Sequence, residues 1–300
     1  MELTDVIIIG GGPAGVTAAL YTARAGLNTT ILYKDLGALT KASVENFYGH
    51  KEIGGAELVK IGLAQAKNVG AKLVKTEALS ISPVGNMLAV ATTKLEYTAS
   101  AVLISTGASR VAPRIKGLGA LEGKGISYCA ICDGFFHKGK DVAVIGSGPY
   151  ALHEVEDLLP IAKSVTVLTN GKKPTVDFPL AVTIRTEKIS EICGQSTLMG
   201  ERLSGVMLDG GEVIGFSGVF VAIGVAGGTE LAMKLGAVVT SNAISADESG
   251  RTTVPGLWAA GDCTGGLKQI AKAVHEGAEA GTDIVRYMKL QKKGDLNEKF

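Results

Sequence analysis

The sequence predicts an α/β fold of two doubly wound domains, each built on a parallel sheet, and three observations lead there. A strand–glycine–helix unit occurs twice, as VIIIGGGPAGVTAALYTARAG followed by TTILY and as DVAVIGSGPYALHEVEDLLPIAKS followed by VTVLTNG. Further short apolar runs, AVLISTGA (101–108), GVFVAIG (218–224) and LWAAGD (257–262), read as strands buried on both faces. The chain holds 41 glycines in 300 residues, about twice the usual share of ~7%. They gather at the ends of those runs, where a strand must turn tightly onto a helix.

In the first unit the opening strand runs into Gly10-Gly11-Gly12-Pro13-Ala14-Gly15, a G-x-G-x-x-G spacing held between strand and helix. The first glycine permits the turn, the second lets the backbone approach a pyrophosphate, and the third lets helix and sheet pack closely. That context predicts a dinucleotide-binding site, against the plainer reading of a merely structural turn. The helix after it offers Val16, Leu20 and Ala23 as a stripe for the sheet. One part of the fingerprint is missing. The end of the next strand, where an acid ordinarily grips the ribose, carries Tyr33 and Lys34, leaving Asp35 as a substitute or an adenosine held mainly by backbone.

The second unit repeats the glycines as Gly146-Ser147-Gly148-Pro149-Tyr150-Ala151, with an expected helical stripe of Leu152, Val155 and Leu159 that Pro160 ends. After Asp262 the chain reads as a helix, with apolar spacing at Ile270, Ala273, Val274, Ala278 and Ile284. Its first turn would aim backbone N–H groups at whatever sits beside Asp262. The final QKKGDLNEKF reads as a polar tail.

A 46% apolar fraction and only 20% charged residues describe a chain with ample core material. The formal net charge of +1 leaves no surface-wide field for nucleic acid. A local basic patch of Lys138, Lys140, Lys163, Lys172 and Lys173 remains available. The run VIIIG is too short for a secretion signal, and no apolar stretch suggests a membrane span. These features predict a cytoplasmic protein whose four cysteines sit in a reducing setting.

Two of those cysteines form Cys129-Ala130-Ile131-Cys132, followed by Asp133. The spacing suits a small disulfide, half of a zinc site, or two packed thiols. Zinc needs two more ligands, and Cys193, Cys263 and His137 are isolated from one another in sequence. No metal is therefore expected. Asp133 favours thiol–disulfide exchange, because an adjacent acid can protonate a departing thiolate. His50, His137, His153 and His275 are scattered and read as surface or packing histidines.

GGGPAG, VENFYG, STGASR, GISYCAICDGFF, VAIG and VPGLWAAGDCTGGLKQIAKAVHEGA follow one another in order through nearly the whole chain. Together they resemble the low-molecular-weight thioredoxin reductase family. The resemblance implies two nucleotide-binding-type, Rossmann-like domains, the second inserted in the first. Residues 1–112 with 242–300 would bind FAD, and 113–241 would carry the CxxC. It further implies that Gly10, Gly12, Pro13, Ala14 and Gly15 take the pyrophosphate, with Tyr33 and Lys34 at the adenosine end. Gly261 and Asp262 would hold the ribityl and phosphate end, and Asn46, Gln269 and Ile270 would lie by the flavin ring. Cys132 would face the flavin, Cys129 would attack the partner disulfide, and Asp133 would be the acid/base. Family members are homodimers that reduce thioredoxin.

The likeness breaks in the second unit. NADPH-dependent members carry GGGxxA and then HRRxxxR, whose arginines clamp the 2′-phosphate. Here Thr169-Asn170-Gly171 stand in that place, and no arginine follows until Arg185. Lys172 and Lys173 are point charges without the bidentate fork that suits phosphate. The reading that fits is a ferredoxin-dependent flavin thioredoxin reductase, which keeps FAD and CxxC and lacks a working NADPH site. A conventional NADPH- or NADH-dependent thioredoxin reductase and a non-catalytic flavin redox sensor are the alternatives. Asp133 speaks against the sensor. The terminal Phe300 raises one more expectation, an aromatic cover for the flavin, against the plainer one of a frayed tail.

Overall fold

Runs of β-branched residues settle at the centre of parallel sheets, and the first run of this chain does so in the computed structural model, which describes residues 2–34, 38–108, 114–197, 200–224 and 227–293. Strand β1 (Glu2–Ile9) pairs in parallel with β2 (Thr29–Tyr33), and α1 (Pro13–Arg24) crosses between them. Val6, Ile7 and Ile8 are fully buried. The chain continues through the short antiparallel pair β3 (Ser43–Val44) and β4 (Ile53–Gly54), α2 (Gly55–Asn68), and β5 (Lys72–Lys75). An antiparallel run follows: β6 (Ala78–Val84), β7 (Met87–Thr92) and β8 (Tyr97–Ile104). The sheet order is β5-β2-β1-β8-β7-β6, with β1 parallel to both neighbours.

The segment Val111–Ala226 forms a unit of its own. Its elements are β9 (Ile126–Ser127), α3 (Ala130–Asp133), β10 (Asp141–Ile145), α4 (Pro149–Leu158), β11 (Ser164–Leu168), β12 (Thr183–Arg185), β13 (Ile189–Thr197), β14 (Gly200–Leu208), β15 (Val213–Gly215) and β16 (Gly218–Val221). A parallel sheet of order β12-β11-β10-β16-β9 forms its centre, joined by the antiparallel sheet β13-β14-β15. Ala143, Ile145, Leu168, Ile192, Val206 and Val219 lie in one apolar cluster of this unit.

The chain then returns to the first unit, which comprises Met1–Arg110 and Gly227–Phe300. The crossing falls at Ala226/Gly227 and not at 241/242. The reason is α5 (Gly228–Lys234), which packs on β6 and on β18 (Ala243–Ile244), the partner of β17 (Val239–Thr240). Strand β19 (Leu257–Ala259) adds in parallel to β8, and the long helix α6 (Ile270–Lys293) follows.

Both helix stripes are rotated from the sequence expectation. On α1 the buried residues are Ala14, Gly15, Val16, Ala18, Ala19 and Thr22, while Leu20 is only half-buried. The cause is α6: a side chain at Gly277 would come within 2.2 Å of the Ala14 carbonyl oxygen, so only small residues fit between the helices. On α4 the buried set is Tyr150, Ala151, Glu154, Val155 and Leu158, with Leu152 and Leu159 turned partly outward. A carboxylate and a phenol occupy the inner face there because each has a backbone partner, described below. Among the described residues no helix is long and apolar enough to cross a membrane.

Candidate functional site

The two glycine turns share their skeleton. A side chain at Gly10 would meet the carbonyl oxygen of Ser105, just past β8, and one at Gly146 that of Ala222, just past β16, so each turn is glycine for the same close approach to the end of a neighbouring strand of its sheet. Gly15 packs its backbone on the Gly10 carbonyl, and Ala151 occupies that place in the second turn.

They differ at the second glycine. Gly12 has nothing within 4 Å of where a side chain would begin, and the first turn of α1 has no side-chain cap. That open space against a helix N-terminus admits a pyrophosphate, and the residues here fit a dinucleotide. At Gly148 the same point lies 3.3 Å from Thr175 Oγ1. Thr175 donates its backbone N–H at 2.7 Å and its hydroxyl at 3.1 Å to the Ser147 carbonyl. The chain has folded its own segment over the second turn. Thr169 begins a tight turn there, closed by its hydroxyl on the Lys172 carbonyl at 2.6 Å, with Asn170 and Gly171 at positive φ. Arg185, the next arginine, is engaged by Glu187 and Glu212.

At the end of β2, Tyr33 is half-buried against Gly11, and Lys34 pairs with Glu77, a buried carboxylate. An acid is thus present at this strand end after all, supplied by the chain beyond β5, which lies beside β2 with Tyr33 opposite Lys75. Its sequence distance hid it. Asp35 lies outside the described residues, as does Phe300.

Of the residues expected near a flavin ring, the structure brings two together: Asn46 Nδ2 donates to Gln269 Oε1 at 3.0 Å. Both are exposed, and Ile270 opens α6 immediately after. The Gly261–Asp262 turn is fixed by groups the sequence reading passed over. Gly261 N–H donates to Glu276 Oε2 at 2.7 Å, and Lys272 Nζ donates to the Gly261 carbonyl and to Thr264 Oγ1, both at 2.9 Å. Gly261 has φ of +89°, a conformation that favours glycine. Cys263 beside it is fully buried, and burial pushes its thiol up to about 12.

In the second unit Cys129 and Cys132 are joined as a disulfide. Cys129 is buried, capping α3 by accepting the Cys132 N–H on its sulfur at 3.2 Å, whereas Cys132 is exposed. Ser127 ties the group together. Its hydroxyl donates to Asp133 Oδ2 at 2.6 Å and accepts the Cys129 N–H at 3.1 Å. Exposed Ile131, Phe135 and Phe136 surround the pair in sequence, with Lys138 over the Phe135 ring. His137 packs edge-on to Phe220 with Nδ1 3.2 Å from Ser217 Oγ, and burial lowers its pKa. A disulfide with one buried and one exposed cysteine, next to a hydrogen-bonded carboxylate, is equipped for thiol–disulfide exchange.

Comparison with known proteins agrees with this chemistry. Residues 4–277 match the model of the family described as pyridine nucleotide-disulphide oxidoreductase. A thioredoxin reductase of Listeria monocytogenes is 33% identical, covering 96% of this chain and 94% of its own. Among solved structures, an atypical thioredoxin reductase of Desulfovibrio vulgaris Hildenborough superposes with a TM-score of 0.88 at 35% identity, covering 95% of this chain and 98% of its own. A ferredoxin-flavin thioredoxin reductase of Clostridium acetobutylicum gives 0.70 at 30% identity, covering 96% of this chain and 99% of its own.

Proposed function

The chain belongs to the thioredoxin reductase branch of the pyridine nucleotide-disulphide oxidoreductase family, whose members are FAD-binding flavoproteins, and from that premise we propose that it passes electrons from reduced ferredoxin, through FAD and the Cys129–Cys132 pair, to the disulfide of a thioredoxin. The observation behind the choice of donor is Thr175, seated on the second glycine turn where a nucleotide phosphate would approach. The missing arginines after β11 and the engagement of Arg185 by two carboxylates support the same reading. So does the likeness to a protein named as a ferredoxin-flavin thioredoxin reductase.

FAD, when bound, supplies a two-electron store that can be filled one electron at a time and emptied as a pair. The open Gly12 and the first turn of α1 would hold its pyrophosphate, with Gly261 and Asp262 toward the ribityl chain and Asn46 with Gln269 near the ring. Two electrons and two protons open Cys129–Cys132 to a dithiol. One of its thiolates attacks a sulfur of the thioredoxin disulfide and expels the other as a thiolate, which Asp133 protonates. The second cysteine then displaces the mixed disulfide, regenerating Cys129–Cys132 and releasing reduced thioredoxin. We assign the attack to Cys129, which must be uncovered for it. The enzyme acts as a homodimer in this reading.

The test is direct. The purified flavoprotein is mixed anaerobically with reduced ferredoxin, NADPH or NADH, and the oxidised-flavin band is followed. Bleaching by ferredoxin and not by either nucleotide is the expected result. Rapid bleaching by a nucleotide would establish the second reading, a pyridine-nucleotide donor, which the family's own description favours.

A further inference from the structure

Helix α4 follows the closed glycine turn, and its inner face grips the backbone on both sides of Cys129. Tyr150 and Glu154 are four residues apart, hence one above the other on a single face. Tyr150 Oη donates to the Tyr128 carbonyl at 3.0 Å, and Glu154 Oε2 accepts the Ala130 N–H at 2.7 Å. Tyr150 is 2% exposed and Glu154 is 1% exposed. The exchange chemistry proposed above uses neither. A buried glutamate side chain set one peptide bond from a buried redox cysteine has electrostatic consequences for that cysteine.

Two influences meet at Cys129 Sγ. The Cys132 N–H points at the sulfur and favours a thiolate there. A carboxylate at Glu154 opposes it, since a neighbouring negative charge disfavours a second one, most of all where water is excluded. The other titratable groups near α3 are arranged differently. Asp133 is held by Ser127, Tyr128 Oη donates to the Glu122 carboxylate, and His137 and Lys140 lie on the turn after α3. On α4 itself, His153 Nε2 lies 3.9 Å from Asp157, and Glu156 is exposed.

We propose that Glu154 is a positioning residue of the redox dithiol, fixing the backbone at Ala130 and, as an anion, holding reduced Cys129 in its thiol form until a partner disulfide is engaged. The proposal rests on reading Cys129–Cys132 as the redox pair and does not depend on the electron donor. Glu154→Gln keeps an oxygen for the Ala130 N–H and removes the charge. The reduced flavoprotein is alkylated with iodoacetamide across pH, and modification of Cys129 and Cys132 is located by peptide mass. Cys193 is resolved on its own peptide, and buried Cys263 stays unmodified.

The pH midpoint of the dithiol falls by about one unit in the glutamine variant, equivalent to ~tenfold more thiolate at neutral pH. Tyr150→Phe, which loosens the grip without changing charge, leaves the midpoint in place. An unmoved midpoint in Glu154→Gln, or an equal fall in Tyr150→Phe, overturns the proposal. A measurement on the native protein guards against a variant that does not fold. In dithiothreitol redox buffers, opening the disulfide takes up two protons with its two electrons until the pH passes the ordinary cysteine value of ~8.5. Uptake of fewer than two protons at neutral pH overturns the assignment. A pair that dithiothreitol cannot open at all overturns instead the reading of Cys129–Cys132 as redox-active.

Discussion

Thr175 places two hydrogen bonds on one acceptor, the carbonyl oxygen of Ser147, and so lays its side chain 3.3 Å from where a side chain at Gly148 would begin. The corresponding position at Gly12 faces open space. Both glycines have negative φ, so alanine is conformationally allowed at each. Gly12→Ala should therefore fold normally and lose FAD, with affinity falling at least about tenfold, or ~1.4 kcal/mol. Gly148→Ala should keep FAD and turnover. The ratio of flavin absorbance to protein, with apoprotein reconstitution, checks both, and equal loss of FAD in the two variants would contradict the division of labour between the turns.

The amide pair Asn46–Gln269 joins a loop after β3 to the start of α6 across 223 residues of sequence. It is exposed, so its removal should change folding stability by less than ~0.5 kcal/mol. If the pair lies against the flavin ring, Asn46→Ala should shift the flavin absorbance and fluorescence while leaving the unfolding midpoint alone. An unaltered flavin spectrum would place the pair away from the ring.

What the sequence made legible was the part written in local pattern. Strand, glycine turn and helix are contiguous in each unit, so the turns that need Gly10, Gly15 and Gly146 are written in a short local pattern, although Gly10 and Gly146 press on the distant Ser105 and Ala222. Glu77, Glu154 and Glu276 were not legible, because no fingerprint surrounds them: each bonds one group, at Lys34, Ala130 and Gly261, that the residues beside the glutamate do not specify. The amphipathic pattern even misdirected the reading of α4. Leu152 looks like a core residue and Glu154 a surface one, yet an acid with a backbone donor waiting for it can be buried. Closure of the second turn was only half legible: the missing arginines could be read from the sequence, while Thr175 as the cover could not.

The unequal exposure of Cys129 and Cys132 makes the attacking sulfur a matter for trapping. With a resolving cysteine removed, the attacking one stays bonded to thioredoxin as a mixed disulfide. Cys132→Ser should accumulate that species through Cys129, and Cys129→Ser should not, as seen by non-reducing electrophoresis and peptide mass. The reverse pattern would make exposed Cys132 the attacking residue.

Asp283 of α6 organises the core beneath β19. Its carboxylate receives Arg251 Nε and Nη2 and, at 3.0 Å, Trp258 Nε1, while Trp258 and Asp283 are both buried. Truncation to alanine strands the indole N–H and leaves the Arg251 guanidinium, itself only a quarter exposed, without its carboxylate. Removing one partner from such a pair costs more than the pair contributes, because the remaining charge is left uncompensated. Asp283→Ala should therefore destabilise the protein by about 3 kcal/mol. Asp283→Asn keeps an oxygen for Trp258 or Arg251 and should lose less. Urea unfolding of the flavoprotein followed by Trp258 fluorescence, from the chain's single tryptophan, measures both; equal losses would mean that the charge of the ion pair, and not hydrogen bonding alone, holds α6 to the sheet.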